Sequence, residues 1–308
     1  MSGAKRQVAQ WLARGCAAVP PLQRGLRAAC LRPGVRKLLR TGAVAVAFPD
    51  VLTSERLEVA EVDGYRLSVN LAEHQGAGAY FFGESVVPPW LPRLLRAGDA
   101  CADVGANAGV FSLALARACG PGGRVLAFEA NPALQARLAA SLALNPGLSG
   151  RVEVDGRAVA EQDGARVRFY PSLDHRNSGT SSLLAGAHGT REDHALEVET
   201  ITLTSALAGR GLSGARFVKV DVEGAEARVL AGAAPLLRGH GVALWFVEMH
   251  RGSEAERLLA EAGYVGYGVK GTGLAPVSSV APGSFGDYLY AAPSVVPAVE
   301  ALGVLLKG

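Results

Sequence analysis

No acidic residue precedes Asp50, whereas nine basic ones do: Lys5, Arg6, Arg14, Arg24, Arg27, Arg32, Arg36, Lys37 and Arg40. Removing those nine from a net charge of +3 leaves the remainder of the chain at −6. A mildly acidic body speaks against a broad nucleic-acid surface, so no nucleic-acid partner is expected. The basic leader reads first as a solvated helical appendage or an oligomer contact, and contact with anionic lipid is the less favoured alternative. Arg14, Pro20, Pro21 and Arg24 interrupt any apolar core, so no signal peptide forms; an Arg-rich, acid-free transit peptide is weakened by the scarcity of serine. No run of about 18 apolar residues occurs, which excludes a membrane-spanning helix. The cysteines Cys16, Cys30, Cys101 and Cys119 lack any CxxC spacing. That pattern reads as a reduced, intracellular and hence cytoplasmic chain.

What is present is globular: 49% of the 308 residues are hydrophobic and 19% charged. No internal repeat is evident. Residues 1–45 form the basic leader, 46–98 a hairpin and cap segment, 99–292 an α/β domain, and 293–308 a tail. "RLEVAEVDGYRLSVNL" (56–71) alternates apolar and polar residues around Asp63-Gly64, a hairpin signal. From Asp99 onward, short apolar strands alternate with amphipathic helices. "ACADVG", "RVLAFEA", "RVEVDGRAVA", "RFVKVDV" and "GVALWFVEMH" read as strands, with "YVGYGVK" and "FGDYLYAA" as the last two. "AEARVLAGAAPLL" reads as one helix. The pattern predicts a doubly wound, mostly parallel sheet of seven strands with an antiparallel final strand. In such sheets ligands sit beyond the carboxyl ends of the strands.

"DVGANAGVF" follows the first core strand and opens a helix. It is not a dinucleotide loop, because Asn107 and Val110 stand where glycines are needed after Gly105; no Lys-Ser or Lys-Thr follows to make a P-loop. Gly105 and Gly109 still allow a tight turn and close approach to a ligand. Glu129 ends the second strand, where an acid can accept two ribose hydroxyls. Asp103 could meet an ammonium. A ligand with an ammonium, a carboxylate and a ribose, but no phosphate, describes S-adenosylmethionine.

"LLRAGDACADVGANAGVFSL", "VLAFEANP" and "FVKVDVEGAEARVLAGA" together resemble the FkbM-type S-adenosylmethionine-dependent methyltransferases over about residues 80–250. "FFGES" (81–85) is similar to an element preceding that family's first strand and adds Glu84. The resemblance implies a class I, Rossmann-like methyltransferase fold and O-methylation of small molecules such as sugars and polyketides. It also implies that Gly105, Asn107, Gly109 and Glu129 bind cofactor, with Asp103, Ala106, Ala130 and Asn131 beside them and Asp221 next to the methyl group. Ala130 stands where the family commonly has proline. The fourth-strand slot reads Asp-Val-Glu-Gly, not the Asn/Asp-Pro-Pro-aromatic tetrad of base methylation. A nucleic-acid or lipid-acceptor methyltransferase, or a non-catalytic protein keeping the fold, remains the alternative.

An alcohol needs its proton removed as it attacks, so a base should stand within hydrogen-bond reach. In "FVKVDV" Lys219 and Asp221 share one face. Asp221 and Glu223 are the nearest bases, with Lys219 an ion-pair partner of Asp221. Glu226 falls in a first helical turn, where an acid complements the dipole. Glu248 and His250 share a face and reach the same rim; His250 is a further candidate base, since imidazole titrates near neutrality. A metal-assisted mechanism would draw on Asp221, Glu223 and His250, but no close ligand cluster exists in sequence and no metal is expected. The polar stretch 171–194 reads as a substrate lid with Asn177, Ser181 and Ser182 as contacts, and His175, His188 and His194 as solvated side chains.

Overall fold

The computed structural model describes residues 10, 13–15, 19–32, 51–52, 54–172, 174, 176–183 and 192–305. Lys5, Arg6, Cys16, Arg36, Lys37, Arg40, His175 and His188 lie outside them. Within the leader, Pro20–Cys30 forms a helix, α1, with proline in its first turn. Among the described residues no helix is long and apolar enough to cross a membrane.

The hairpin forms as its pattern predicts. β1 (Leu57–Val62) pairs antiparallel with β2 (Tyr65–Asn70). Asp63 and Gly64 take φ of 48° and 78°, both in the left-handed region that a two-residue hairpin turn requires. The helix α2 (His74–Phe82) follows and ends on Gly83. Leu67, Phe81 and Trp90 from this cap share one apolar core with Cys101, Phe217 and Phe246 from the main sheet. The cap therefore packs as part of the α/β body.

That sheet is built from β3 (Ala100–Val104), β4 (Arg124–Phe128), β5 (Val152–Asp155), β9 (Ala215–Val220), β10 (Val242–His250), β11 (Val265–Lys270), β12 (Gly273–Pro276) and β13 (Phe285–Ala291). Its order is β12-β11-β13-β10-β9-β3-β4-β5. The five strands from β10 to β5 are parallel, and β13, β11 and β12 add antiparallel pairs. This is the doubly wound, mostly parallel sheet expected, with eight strands in place of seven. The extra edge strand follows a turn at Gly271, whose φ of 59° suits glycine. A further separation occurs inside "RVEVDGRAVA". β5 stays in the main sheet, while Ala158–Val159 (β6) joins a small sheet with Arg166–Phe169 (β7) and Leu196–Ile201 (β8).

Three helices after the strands carry the site. These are α3 (Val110–Ala118), α4 (Pro132–Ala143) and α5 (Glu226–Gly232). The helix expected over "AEARVLAGAAPLL" breaks at Ala233, because Pro235 begins a second short helix, Ala234–Arg238. A last helix, α6 (Glu254–Glu261), follows β10. The sheet's two faces bury different cores: Phe217, Leu244, Phe246 and Leu289 on one, Val218, Val220, Trp245 and Val247 on the other. Strand alternation thus sends Lys219, Asp221 and Glu248 to the face of Phe217 and Phe246.

One buried ion pair ties cap, sheet and lid together. Arg137 of α4 donates to both oxygens of Glu73 at 2.7 and 3.1 Å, and Ser178 of the lid donates to Glu73 at 2.6 Å. Their side chains are only 7% and 13% exposed. Removing one partner strands the other charge in the interior. Arg137→Met is expected to cost about 3–5 kcal/mol of unfolding free energy, read by urea denaturation; an unchanged midpoint would remove this pair from the fold's supports.

Candidate active site

The order of the sheet reverses between β3 and β9, and a cavity of about 970 Å³ opens at the carboxyl ends of β3, β4, β9 and β10. A volume near the top of the range for small-molecule sites has room for a cofactor together with an acceptor.

The loop after β3 is held by its neighbours. Gly105 and Ala106 donate their N–H groups to the Phe128 carbonyl at 3.0 and 2.9 Å. Gly105 has φ of 80°, and a Cβ there would stand 1.9 Å from the Asp221 carbonyl oxygen, so only glycine fits. Gly109 caps α3 at φ of 89°, with Leu138 against it. Asn107 also takes a left-handed φ, 49°. Its N–H donates to Glu129 Oε2 at 2.8 Å, while Asn131 N–H donates to Oε1 at 2.8 Å. Asn131 in turn caps α4 through Ala133 and donates to Ser181. Glu129 is thus a buried carboxylate that joins two strand ends yet keeps lone pairs toward the cavity. Burial, opposed by those two N–H donors, raises its pKa.

Asp103 lies elsewhere than a cavity wall. It is fully buried and pairs across the sheet with Lys219, its direct register partner. Its Oδ2 accepts the Ser112 hydroxyl at 2.6 Å, and Oδ1 sits 3.6 Å from Lys219 Nζ, an ion pair longer than a hydrogen bond. Glu84 follows the α2 cap, half-buried, and is not among the residues that line the cavity. Gly105, Asn107, Glu129 and Ala130 do line it.

Lys219 donates to the Gly105 carbonyl at 2.6 Å and pairs with Asp221 at 3.2 Å. The Phe111 ring lies 5.6 Å from its ammonium. Burial works against that charge, but Asp221 and Asp103 outweigh it and raise its pKa. Lys219 is therefore a fixed cation and not a proton acceptor. Asp221 points into the cavity, its side chain 36% exposed. Glu226 closes the turn between them and α5, accepting from Gly224 N–H at 2.9 Å, which is the helix-start role the sequence suggested. Glu223 sits in that turn with φ of 51°, a strained position for a non-glycine residue. Its carbonyl takes the Ser182 hydroxyl at 2.7 Å.

One oxygen each of Asp221, Glu223 and Glu248 fall within 4.8 Å of one another. His250 is not in that group; it stands exposed at the cavity rim, its ring 4.9 Å from that of Phe285. The set Asp221, Glu223 and His250 is therefore not assembled as a metal-ligand cluster. Glu248 also lines the cavity, and Asp287 of β13 lies directly opposite it in the sheet; neither was singled out as a base from sequence. The equal alternation of Phe246 and Glu248 with Lys219 and Asp221 was the available signal for Glu248. Burial first, then Asp221 and Glu226, push Glu223 up to about 7. Burial, Asp221 and Asp287 push Glu248 up to about 8, and burial with Asp221 lifts Asp287 to about 6.

The lid residues Asn177, Ser181 and Ser182 line the cavity as expected. The two serine hydroxyls are engaged by the chain, Ser181 accepting from Asn131 and Ser182 donating to the Glu223 carbonyl, so they hold the lid down. His194 is exposed.

The methyltransferase FkbM domain family matches residues 103–265, just over half of the 308 residues. The chain belongs to the FkbM methyltransferase family. It is 35% identical over 161 residues to 31-O-demethyl-FK506 methyltransferase FkbM of Streptomyces tacrolimicus, a match covering 45% of this chain and 60% of that protein. It is 29% identical over 209 residues to hexuronic acid methyltransferase AglP of Haloferax volcanii, covering 66% and 80% respectively. The solved structure of methyltransferase FkbM from Methylobacillus flagellatus KT is similar at a TM-score of 0.44 and 16% identity, over 64% of this chain and 44% of that one. The FkbM match spans every residue of the glycine loop, Glu129, Asp221, Glu223 and Glu248.

The raised carboxyls make stability depend on pH. Glu223 and Glu248 keep their protons to about pH 7 and 8 when folded, against 4.5 unperturbed. Between those values the folded state binds more protons than the unfolded one, so stability falls as pH rises through the window. The thermal midpoint should drop from pH 5 to pH 8.5, and Glu248→Gln should flatten that slope. A wild-type midpoint that climbs across the same range would contradict the clustered, half-buried carboxyls.

Proposed function

We propose that this chain transfers a methyl group from S-adenosylmethionine to a hydroxyl oxygen of a small molecule such as a sugar or polyketide. The observation that carries this reading is a single cavity with two unlike ends. One end holds the glycine loop and the Glu129 carboxylate; the other gathers Asp221, Glu223 and Glu248. The first end fits a nucleoside: Gly105 lets the loop turn tightly against the Asp221 carbonyl, and Glu129 retains acceptor capacity for two hydroxyls. The second end fits a reaction that must release a proton.

S-adenosylmethionine supplies an electrophilic methyl group. Glu129 would hold the ribose, and Asn107 and Ala130 would flank it. Asp221, fixed by Lys219, borders the place where donor and acceptor ends meet. A carboxylate at the acidic end takes the hydroxyl proton, which converts a weak nucleophile into an effective one. The pinned lid limits water on the cofactor side. One relative supports a hydroxyl acceptor, because its name specifies a 31-O-demethyl substrate; the name of another specifies a hexuronic acid, which supports a sugar-like acceptor. A body of net acidic charge favours a small acceptor over a nucleic acid.

The test is direct. Purified protein is incubated with methyl-labelled S-adenosylmethionine and a panel of hexose glycosides, hexuronic acid glycosides and hydroxylated macrolactones, and products are read by mass spectrometry. Transfer to oxygen is expected for at least one class; labelling only of nitrogen or carbon, or none, would overturn the reading. Calorimetry with S-adenosylhomocysteine should show binding that Glu129→Ala weakens at least tenfold. Equal affinity in that variant would take Glu129 out of the ribose site. Asp221→Asn should slow turnover while most of that affinity remains, and full turnover would clear Asp221 of a role in transfer.

A further inference from the structure

We propose that Glu248 is the catalytic residue that accepts the hydroxyl proton of the acceptor, and that Asp287 is the positioning residue beside it. This rests on the methyl-transfer reading and names the base within it.

The argument starts from register. β9 and β10 run parallel with Val220 opposite Val247, which sets Asp221 and Glu248 at the same level one residue further on. β10 and β13 run antiparallel with Glu248 directly opposite Asp287. Neighbouring strands lie about 4.8 Å apart. Asp221, Glu248 and Asp287 therefore form a row of three carboxylates across three adjacent strands, all on one face. One level deeper the same face carries Asp103, Lys219, Phe246 and Leu289. Like charges directly opposite each other destabilise a sheet. A half-buried row of three is an arrangement that stability alone would select against, and such groups concentrate at working sites.

The row is not symmetric. Lys219 pairs with Asp221 at 3.2 Å and reaches no further along the row among the ion pairs of the described residues. Asp221 thus gives one oxygen to a buried ammonium that competes with an arriving proton. Glu248 has a carboxylate on each side and, among the described residues, no cation paired with it. Asp287 is at the outer end. Glu223 belongs to a strained turn and not to a strand, and His250 faces solvent against Phe285. The groups facing Glu248 are Asp221 and Lys219 from β9, Glu223 from the following turn, Asp287 from β13 and His250 on its own strand. Glu254 of α6, paired with Arg257, lines the same cavity. Burial first, and then the negative neighbours Asp221, Asp287 and Glu223, raise the proton affinity of Glu248 into the range of a base near neutrality.

The step balances. The acceptor O–H bond breaks and its proton passes to a Glu248 oxygen. The acceptor oxygen bonds to the methyl carbon as the carbon–sulfur bond breaks, its electron pair staying on sulfur. The carboxyl proton then returns to water past Asp287.

The experiment uses the full chain and two readouts. With the panel acceptor that the wild type methylates, kcat/KM should rise with pH along a limb whose apparent pKa belongs to the coupled row. Glu248→Gln should lose at least about 100-fold in kcat and that limb, with Glu248→Asp recovering part of the loss. Asp287→Asn should shift the limb to lower pH, which a merely structural role would not do. Separately, carbon-13 carboxyl spectra of the free protein should show glutamates titrating well above the ordinary range, Glu223 and Glu248 among them. One of these signals should vanish in Glu248→Gln, and the same one should move to lower pH in Asp287→Asn. Calorimetry with S-adenosylhomocysteine should be unchanged in both variants. A Glu248→Gln protein within twofold of wild-type kcat overturns the proposal alone, as does a spectrum from which Glu248→Gln removes no raised signal. So does wild-type turnover that requires added magnesium and collapses with a chelator. A wild type that methylates nothing on the panel overturns the methyl-transfer reading and this assignment with it.

Discussion

The Lys219 ammonium is the interaction on which the site depends. It lies inside the sheet, where an unpaired charge would be costly, and three oxygens make it tolerable: the Gly105 carbonyl, Asp103 and Asp221. Each partner sits on a different piece of the site. Gly105 belongs to the glycine loop, Asp103 to the first core strand, and Asp221 to the rim where the two ends of the cavity meet. One cation therefore fixes the separation between the loop and the acidic rim. Phe111 of α3 roofs it and touches Phe246 below the rim. Replacing the lysine would leave two carboxylates unpaired in the same small volume.

Beyond the reach of that lysine the balance of charge changes along the sheet. At β3 and β9, acid and base offset each other. At β10 and β13, Glu248 and Asp287 face one another with no basic partner among the described ion pairs. The cost of this falls on the fold, and its result is a set of carboxyls whose proton affinities stand near neutral pH. A native protein tolerates such local conflict where chemistry requires it and recovers stability elsewhere. Here the recovery is visible in two well-separated apolar cores and in the Arg137–Glu73 pair.

Much of this could be read from the chain alone. The hairpin at Asp63-Gly64, the parallel core strands and the placement of Glu129 and Asp221 at strand ends follow from periodicities of two and 3.6 residues and from turn chemistry. What escaped reading depends on register and distance. Asp287 meets Glu248 only because β13 enters antiparallel beside β10, a pairing that periodicity does not encode. Glu73, Arg137 and Ser178 are far apart in sequence and meet through tertiary packing. The edge strand Gly273–Pro276 is short and glycine-rich, with no alternating signal. Asp103 looked like a ligand contact because it precedes the loop, yet its strand phase turns it inward to Lys219.

The same phase argument orders the cavity. On the side of the glycine loop, the lid is tied down through Ser178, Ser181 and Ser182 to Glu73, Asn131 and the Glu223 carbonyl. On the opposite side, Phe285 is 58% exposed and His250 stands against it at the rim. Across the sheet from β13, the wall presents the exposed Phe285 ring, then Glu248, then Asp221. The two walls of the cavity therefore differ in chemistry: one is closed by hydroxyl and amide contacts, and the other carries Asp221 and Glu248, where burial and mutual repulsion raise the proton affinity of Glu248.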